Sequence, residues 1–188
     1  VVVISGVGPA LGTTLARRCA AAGADLVLAA RTVERLNEVA AEITAMGGRA
    51  LAVGTDITDD AQVDSLVARS LFAYGTVDVL INNAGLAVGM EPIQEGFVDD
   101  WERMIDTNVK GLLYITRLVS PQMVKQGSGH IVNISSIAGK EAYAKGNVYC
   151  ATKHAVQALT QGMRIDLLPH GIKVSSVAPG AVETEFSV

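Results

Sequence analysis

Tyr149 and Lys153 stand four residues apart in Tyr149-Cys150-Ala151-Thr152-Lys153. In a helix, that spacing puts both side chains on one face. A free phenol titrates at about pH 10 and is a poor base at neutrality. An ammonium held beside it favours the phenolate and lowers its pKa. The two residues can then work as a general acid/base, provided a substrate reaches them. The same spacing also suits a core tyrosine followed by a lysine that snorkels to the surface. What raises the pair above that plainer reading is its company. Asn133-Ile134-Ser135-Ser136 closes a strand-like run, and Asn82-Asn83-Ala84-Gly85 closes an earlier one. In open α/β sheets, ligands bind off such carboxyl ends.

A second constellation lies at the start of the chain. The run Val1–Ile4 passes into Ser5-Gly6-Val7-Gly8-Pro9-Ala10-Leu11-Gly12 and then into a helical pattern. Glycines let a strand-to-helix turn tighten and approach a pyrophosphate, and the helix N-terminus favours the anion. A purely structural turn would also want glycine. The next strand ends in Leu28-Ala29-Ala30-Arg31-Thr32, with no carboxylate and with Arg31. Sites that prefer NAD place Asp or Glu there for the ribose 2′-hydroxyl. A guanidinium instead suits a 2′-phosphate, through bidentate, charge-assisted bonds. NADP(H) is therefore expected over NAD(H). The rival is a solvated Arg31 that stacks on adenine without discriminating.

The elements that must carry these residues follow from hydrophobic patterning. Val1–Ser5, Asp25–Ala30, Arg49–Gly54, Val77–Asn82, Gly129–Ser136 and Lys173–Ala178 read as strands. They are continuous apolar runs, as expected of parallel strands covered on both faces. Helices are expected over Leu11–Ala22, Val33–Met46, Asp59–Tyr74 with Thr58 as its cap, Val98–Gln126 and Val148–Leu168. Strand and helix alternate, which gives right-handed crossovers and a doubly wound, Rossmann-like α/β sheet with helices on both faces.

The chain has 188 residues, enough for one sizeable core and too few for two comfortable domains, so residues 1–188 read as one domain. With 49% hydrophobic and 18% charged residues, disorder is excluded. A net charge of −4 without a basic stripe argues against a nucleic-acid partner. The apolar runs are too short to span a membrane. Cys19 and Cys150 lack any metal-ligand spacing, so no metal is expected and a reduced, cytoplasmic setting is the simplest expectation.

Taken together, these segments resemble the short-chain dehydrogenase/reductase family along essentially the whole chain. Ser5–Gly12 is similar to its phosphate loop, which implies that Ser5, Gly6, Gly8, Leu11 and Gly12 hold a dinucleotide. Asp56, with Ile57, matches the acidic position after the third strand that contacts adenine. Asn83, Ala84 and Gly85 match the Asn-Asn-Ala-Gly motif beside the adenosine ribose. Asn108, in Thr107-Asn108-Val109-Lys110-Gly111, matches the helix asparagine of a catalytic tetrad completed by Ser136, Tyr149 and Lys153. Pro179-Gly180, with Val182 and Thr184, matches the turn that holds the nicotinamide carboxamide. Single matches have plainer rivals. Asn108 could bond backbone inside a helix, Ser136 could cap a strand end with Ser135 as the reactive hydroxyl, and Asp56 with Thr58 could be only a helix start.

The resemblance implies interconversion of a secondary alcohol and a carbonyl. Ser136 and Tyr149 would hold the carbonyl oxygen, Lys153 would bond the nicotinamide ribose and lower the Tyr149 pKa, and Asn108 would hold a relay water. Glu91-Pro92-Ile93-Gln94, Asp99-Asp100-Trp101-Glu102 and Gly146-Asn147-Val148-Tyr149 resemble the NADP branch acting on serine and other 3-hydroxy acids, as does Glu183-Thr184-Glu185-Phe186-Ser187. The family usually has Gly where this chain has Ala10 and Thr where it has Ser5. Family members also continue past Val188, so the domain is expected to be incomplete at its C-terminus. The helices 98–126 and 148–168 are those that pair in the family's dimers and tetramers, so a homo-oligomer is expected. Two rivals stay open: a catalytically inactive NADP-binding protein, and a truncated or chimeric engineered member of the family.

Overall fold

Branched aliphatic residues fill both faces of every central strand, and this fixes where the strands sit. Val3, Val27, Leu80, Ile131 and Val174 point to one face, while Val2, Ile4, Leu26, Leu28 and Ile81 point to the other. The computed structural model describes residues 1–180. Six parallel strands, β1 (Val2–Ser5), β2 (Leu26–Ala30), β3 (Ala50–Gly54), β4 (Val79–Asn82), β5 (Gly129–Ile134) and β6 (Ile172–Val177), lie in the order β3-β2-β1-β4-β5-β6.

Helices cover both faces, as the patterning predicts. On one face, α1 (Leu11–Ala21) buries Ala16 and α2 (Val33–Ala45) buries Leu36, Val39 and Ile43. On the other, α3 (Asp60–Tyr74) contributes Val63, Leu66 and Val67, and α5 (Leu112–Gln126) contributes Ile115, Val119 and Met123. Met163 and Leu167 of α6 (Asn147–Leu167) pack against that second cluster. The sheet is wound outward from β1 in one direction and from β4 in the other. The switch point therefore lies between β1 and β4, where Ser5 and Asn82 are register partners. A crevice off the carboxyl ends at such a point is where α/β sheets bind ligands.

Two expectations are corrected. The stretch 98–126 is not one regular helix. It runs as α4 (Val98–Ile105), a π-helical turn (Asp106–Gly111) and α5. The widened turn holds Asn108, and at Gly111 the helix closes directly onto Ile57: a Cβ there would lie 2.8 Å from Ile57 Cγ2. Such π-bulges insert a residue without disturbing the apolar stripe on either side. The cap of α3 is Asp59 rather than Thr58. The N–H and hydroxyl of Thr58 both donate to Asp56 Oδ1, at 2.9 and 2.8 Å, and the freed cap position is filled by Asp59 Oδ1, which accepts from Gln62 N–H at 3.1 Å. That amide holds the Asp59 carboxyl below its ordinary range.

Candidate active site

The loop after β1 turns on Gly6, whose φ is +73°. A Cβ at Gly6 would stand 2.5 Å from Ala84 Cα, so the first loop and the strand-end motif of β4 close on one another with no room for a side chain. Gly6→Ala is expected to cost at least about 2 kcal/mol, from the left-handed backbone and the collision together. A lowered urea midpoint reads it out, and an unchanged midpoint would refute this packing.

Polar side chains lace the same junction. Ser5 Oγ accepts from the N–H groups of Asn83 (3.2 Å) and Ala84 (3.3 Å), and Asn83 Nδ2 donates to the Gly6 carbonyl at 2.7 Å. Ser5 and Asn83 thus shape the loop from beneath. Gly8, by contrast, faces open space. Helix α1 opens with neither a side-chain cap nor an acidic residue in its first turn, with Leu11 at its start. Those are the conditions under which backbone N–H groups at a helix start take an anion. Ala10, which stands where the family usually has glycine, has φ −104° and ψ −104°. Arg31 is exposed just past β2 and makes no ion pair among the described residues. Asp56 Oδ1 is engaged by Thr58, while Ile57 is buried against Gly111. These residues fit a dinucleotide bearing a 2′-phosphate.

The second group gathers across β5, the π-turn and α6. Ser136, just past β5, accepts from Ala138 N–H at 3.1 Å, and its hydroxyl lies near enough to the Tyr149 phenol to lower its pKa. Lys153 is 4% exposed and donates from Nζ to the Ile134 carbonyl at 3.1 Å. Its Nζ lies 5.7 Å from the centre of the Tyr149 ring. Asn108 Oδ1 accepts from Leu86 N–H at 2.7 Å, while its Nδ2 donates to the Leu86 carbonyl (2.8 Å) and to Thr152 Oγ1 (3.0 Å). The side chain of Asn108 therefore clamps the segment after Asn83-Ala84-Gly85 onto α6. A Cβ at Gly85 would meet Lys153 Nζ at 3.4 Å and Asn108 Oδ1 at 3.6 Å, so the motif after β4 and the Lys153–Asn108 pair share one wall. The Pro179 carbonyl accepts from Ile137 N–H at 3.0 Å and ties its turn to the segment after Ser136, with Gly180 beside it. Val182 and Thr184 lie outside the described residues.

Electrostatics correct one expectation. Spacing predicts that Lys153 pulls the Tyr149 phenol below its usual value. Burial instead pushes the phenol up, and this outweighs the downward pull of the Ser136 hydroxyl. Burial also drives Lys153 down to about 8. Desolvation leads for both groups, and the Lys153 charge is not among the causes that move the phenol.

Some features of the site carry no signal in spacing. Thr152 hands its hydroxyl to the Tyr149 carbonyl at 2.8 Å while accepting from Asn108. Lys145 has φ +68°, the one left-handed non-glycine among the described residues, in a turn where Gly146 N–H donates to the Tyr143 carbonyl at 3.1 Å. That turn opens α6 and so sets where Tyr149 begins.

Known proteins agree with this geometry. The short chain dehydrogenase family model matches residues 1–188. The chain is 41% identical over its full length to the NADP-dependent 3-hydroxy acid dehydrogenase YdfG of Salmonella typhimurium, covering 75% of that protein. It is 40% identical to serine dehydrogenase in its closed form complexed with NADP+, with a TM-score of 0.92 over 100% of this chain and 75% of that one. Xylitol dehydrogenase bound to NAD+ superposes with a TM-score of 0.95 at 31% identity, over 99% of this chain and 72% of that one. With the glycine loop, the strand-end asparagines and the Ser–Tyr–Lys group at the carboxyl ends of one parallel sheet, the chain belongs to the short-chain dehydrogenase family.

Proposed function

We propose that this protein is an NADP(H)-dependent oxidoreductase that interconverts a secondary alcohol and a carbonyl on a small 3-hydroxy acid. The observation that carries the reading is the convergence of Ser136 after β5, Tyr149 at the start of α6 and the buried Lys153, whose Nζ lies 5.7 Å from the Tyr149 ring and bonds the Ile134 carbonyl. Bound nicotinamide supplies the hydride to the carbonyl carbon, or takes it from the alcohol. The protein's residues manage the oxygen and its proton. Ser136, its own orientation set by Ala138 N–H, offers a hydroxyl to the substrate oxygen. Tyr149 gives that oxygen its proton during reduction. Its raised pKa keeps the phenol protonated at neutral pH, which suits an acid and leaves oxidation favoured at alkaline pH. Lys153 holds a positive charge beside the phenol and would bond the nicotinamide ribose of a bound cofactor. Asn108, fixed on both sides by Leu86 and Thr152, orders the wall between them, and the relay water belongs beside it.

The loop residues Gly6, Gly8, Leu11 and Gly12, with Arg31, Asp56, Ile57, Asn83, Ala84, Gly85, Pro179, Gly180, Val182 and Thr184, form the cofactor side of this reading. The 3-hydroxy acid is supported by relatives about two-fifths identical to this chain that are NADP-dependent 3-hydroxy acid dehydrogenases. We read residues 1–188 as one domain. No helix among the described residues is long and apolar enough to cross a membrane. Both cysteines are free, in keeping with a cytoplasmic location. Exposed Val98 and Ile105 on α4, Leu113 on α5 and Ile165 on α6, with Leu168 just past α6, supply apolar surface for a homodimer or homotetramer.

The test is cofactor choice. With a 3-oxo acid, kcat/KM for NADPH is expected to exceed that for NADH by at least about tenfold, since hydrogen bonds to a charged group are worth roughly 1.5–3 kcal/mol. Arg31→Ala should erase most of that preference. Equal use of both cofactors by the unaltered protein would refute the role of Arg31. Absence of any NADPH-linked turnover across short 3-oxo acids would refute the reading as a whole.

A further inference from the structure

The end of β5 is stitched to α6 residue by residue. Asn133 Nδ2 donates to Thr160 Oγ1 at 2.9 Å. The Ile134 carbonyl accepts from Lys153 Nζ at 3.1 Å. Ser135 Oγ donates to the Lys153 carbonyl at 3.2 Å. Ser136 meets the Tyr149 phenol. The bonds of Ile134 and Ser136 belong to the proton-handling group already described. Those of Asn133 and Ser135 do not, yet both side chains are buried, at 0% and 4% exposure.

Neither residue is a generic core filler. Asn133 Oδ1 accepts from Asn82 Nδ2 at 2.8 Å across the β4–β5 register, and Asn82 Nδ2 also reaches Thr116 Oγ1 at 3.1 Å. Thr160 Oγ1 in turn donates to the Val156 carbonyl at 2.7 Å. The hydrogens run in one direction, from Asn82 through Asn133 and Thr160 into the backbone of α6. Buried networks of this kind fix a unique arrangement, because each member penalises any shift that would unpair it. Ser135 acts on the carbonyl of Lys153 itself. The backbone has been cleared for that contact. A Cβ at Gly139 would stand 2.6 Å from the Lys153 carbonyl oxygen and 2.7 Å from Ser135 Oγ.

We propose that Asn133 and Ser135 are positioning residues: they set the depth at which α6 lies on β5, so that Ser136 meets the Tyr149 phenol and the Ile134 carbonyl meets the Lys153 ammonium. This rests on the functional reading above. Neither residue touches substrate. Their effect passes through the burial of Lys153, which faces Tyr149 from its own helix, Asn108 from the π-turn, Gly85 after β4 and the Ile134 carbonyl from β5. Burial is the cause of its depressed pKa, with no charged partner contributing. If α6 lifts off β5, water reaches the ammonium and its pKa climbs back toward 10.5.

The experiment compares Ser135→Ala and the near-isosteric Thr160→Val, which removes the α6 partner of Asn133, with the parent chain and with Thr160→Ser, which keeps the hydroxyl. NADPH-linked turnover is followed across pH, and the Lys153 ammonium is titrated by NMR. The parent is expected to titrate at about 8. Ser135→Ala and Thr160→Val are each expected to lose at least about tenfold in kcat, since misplacing a reacting group by an ångström costs on the order of 100-fold. KM for NADPH stays within about twofold, and the Lys153 titration rises by at least about half a unit in both variants. Thr160→Ser restores turnover and titration. The proposal is overturned if the two variants lower only the unfolding temperature, or lose turnover with Lys153 unmoved, or if Thr160→Ser behaves as Thr160→Val. A parent chain with no NADPH-linked turnover overturns the functional reading and this proposal with it, whereas parent turnover with indifferent variants overturns this proposal alone.

Discussion

Replacing Tyr149 with Phe is expected to lower turnover by on the order of 1,000-fold while leaving NADPH binding within a few-fold of the parent. A positioned proton donor contributes about 100- to 10,000-fold. The substitution removes one oxygen and nothing else. The aromatic ring keeps its place over Lys153, whose Nζ stays anchored on the Ile134 carbonyl. The loop around Gly6 closes on Ala84 after β4, so the phosphate binding proposed for it is expected to survive. Cofactor affinity is read from quenching of NADPH fluorescence, turnover from its absorbance. Retained turnover with intact binding would show that some other group carries the proton, with Ser136 the next to examine. The pH dependence in the parent follows from the same geometry. Burial raises the phenol above its ordinary value, so reduction holds through neutral pH and falls only as the phenol ionises, while alcohol oxidation grows as pH rises.

Much of this arrangement is legible in the sequence, for identifiable reasons. The strands are legible because residues such as Val3 and Ile4 are apolar on successive positions, which only two-sided burial explains. The glycine loop is legible because strand, glycines and helix come in one order. The break inside 98–126 is hidden because a π-turn inserts a residue while Met104, Leu112 and Ile115 keep a helical rhythm on either side. Asn108 is found by its motif, yet its partners Leu86 and Thr152 lie far along the chain and no local pattern points to them. Ser135 and Ser136 are indistinguishable as adjacent letters. The pleat turns Ser135 into the contact with α6, and the short helical turn after Ser136 presents that hydroxyl to Tyr149. The sign of the Tyr149 shift is hidden for another reason. Spacing reports that a cation is near, but the outcome depends on how much water both groups lose, which is a property of the packed sheet and not of the five residues from Tyr149 to Lys153.

Lys153→Met should separate stability from activity. Turnover is expected to fall by on the order of 100-fold or more, because on the proposed reading the phenol loses the charge beneath it and the cofactor ribose would lose a donor. Stability at neutral pH is expected to rise. Lys153 is 4% exposed, and its pKa is about 8 in the folded chain against 10.5 when unperturbed. Between those values the unfolded chain holds a proton that the folded chain has released, so the folded state gains stability as pH rises through that window and bears the full cost of the buried ammonium below it. A shift of that size corresponds to roughly 3 kcal/mol, to which one hydrogen bond to the Ile134 carbonyl is the visible local compensation. Methionine fills the same channel without charge. Unfolding followed at pH 7 and at pH 9.5 should show the variant more stable than the parent at the lower pH, with the gap narrowing at the higher. A variant less stable at pH 7 would mean that the ammonium is held by more than burial and one carbonyl, and that its charge is part of the fold as well as of the chemistry.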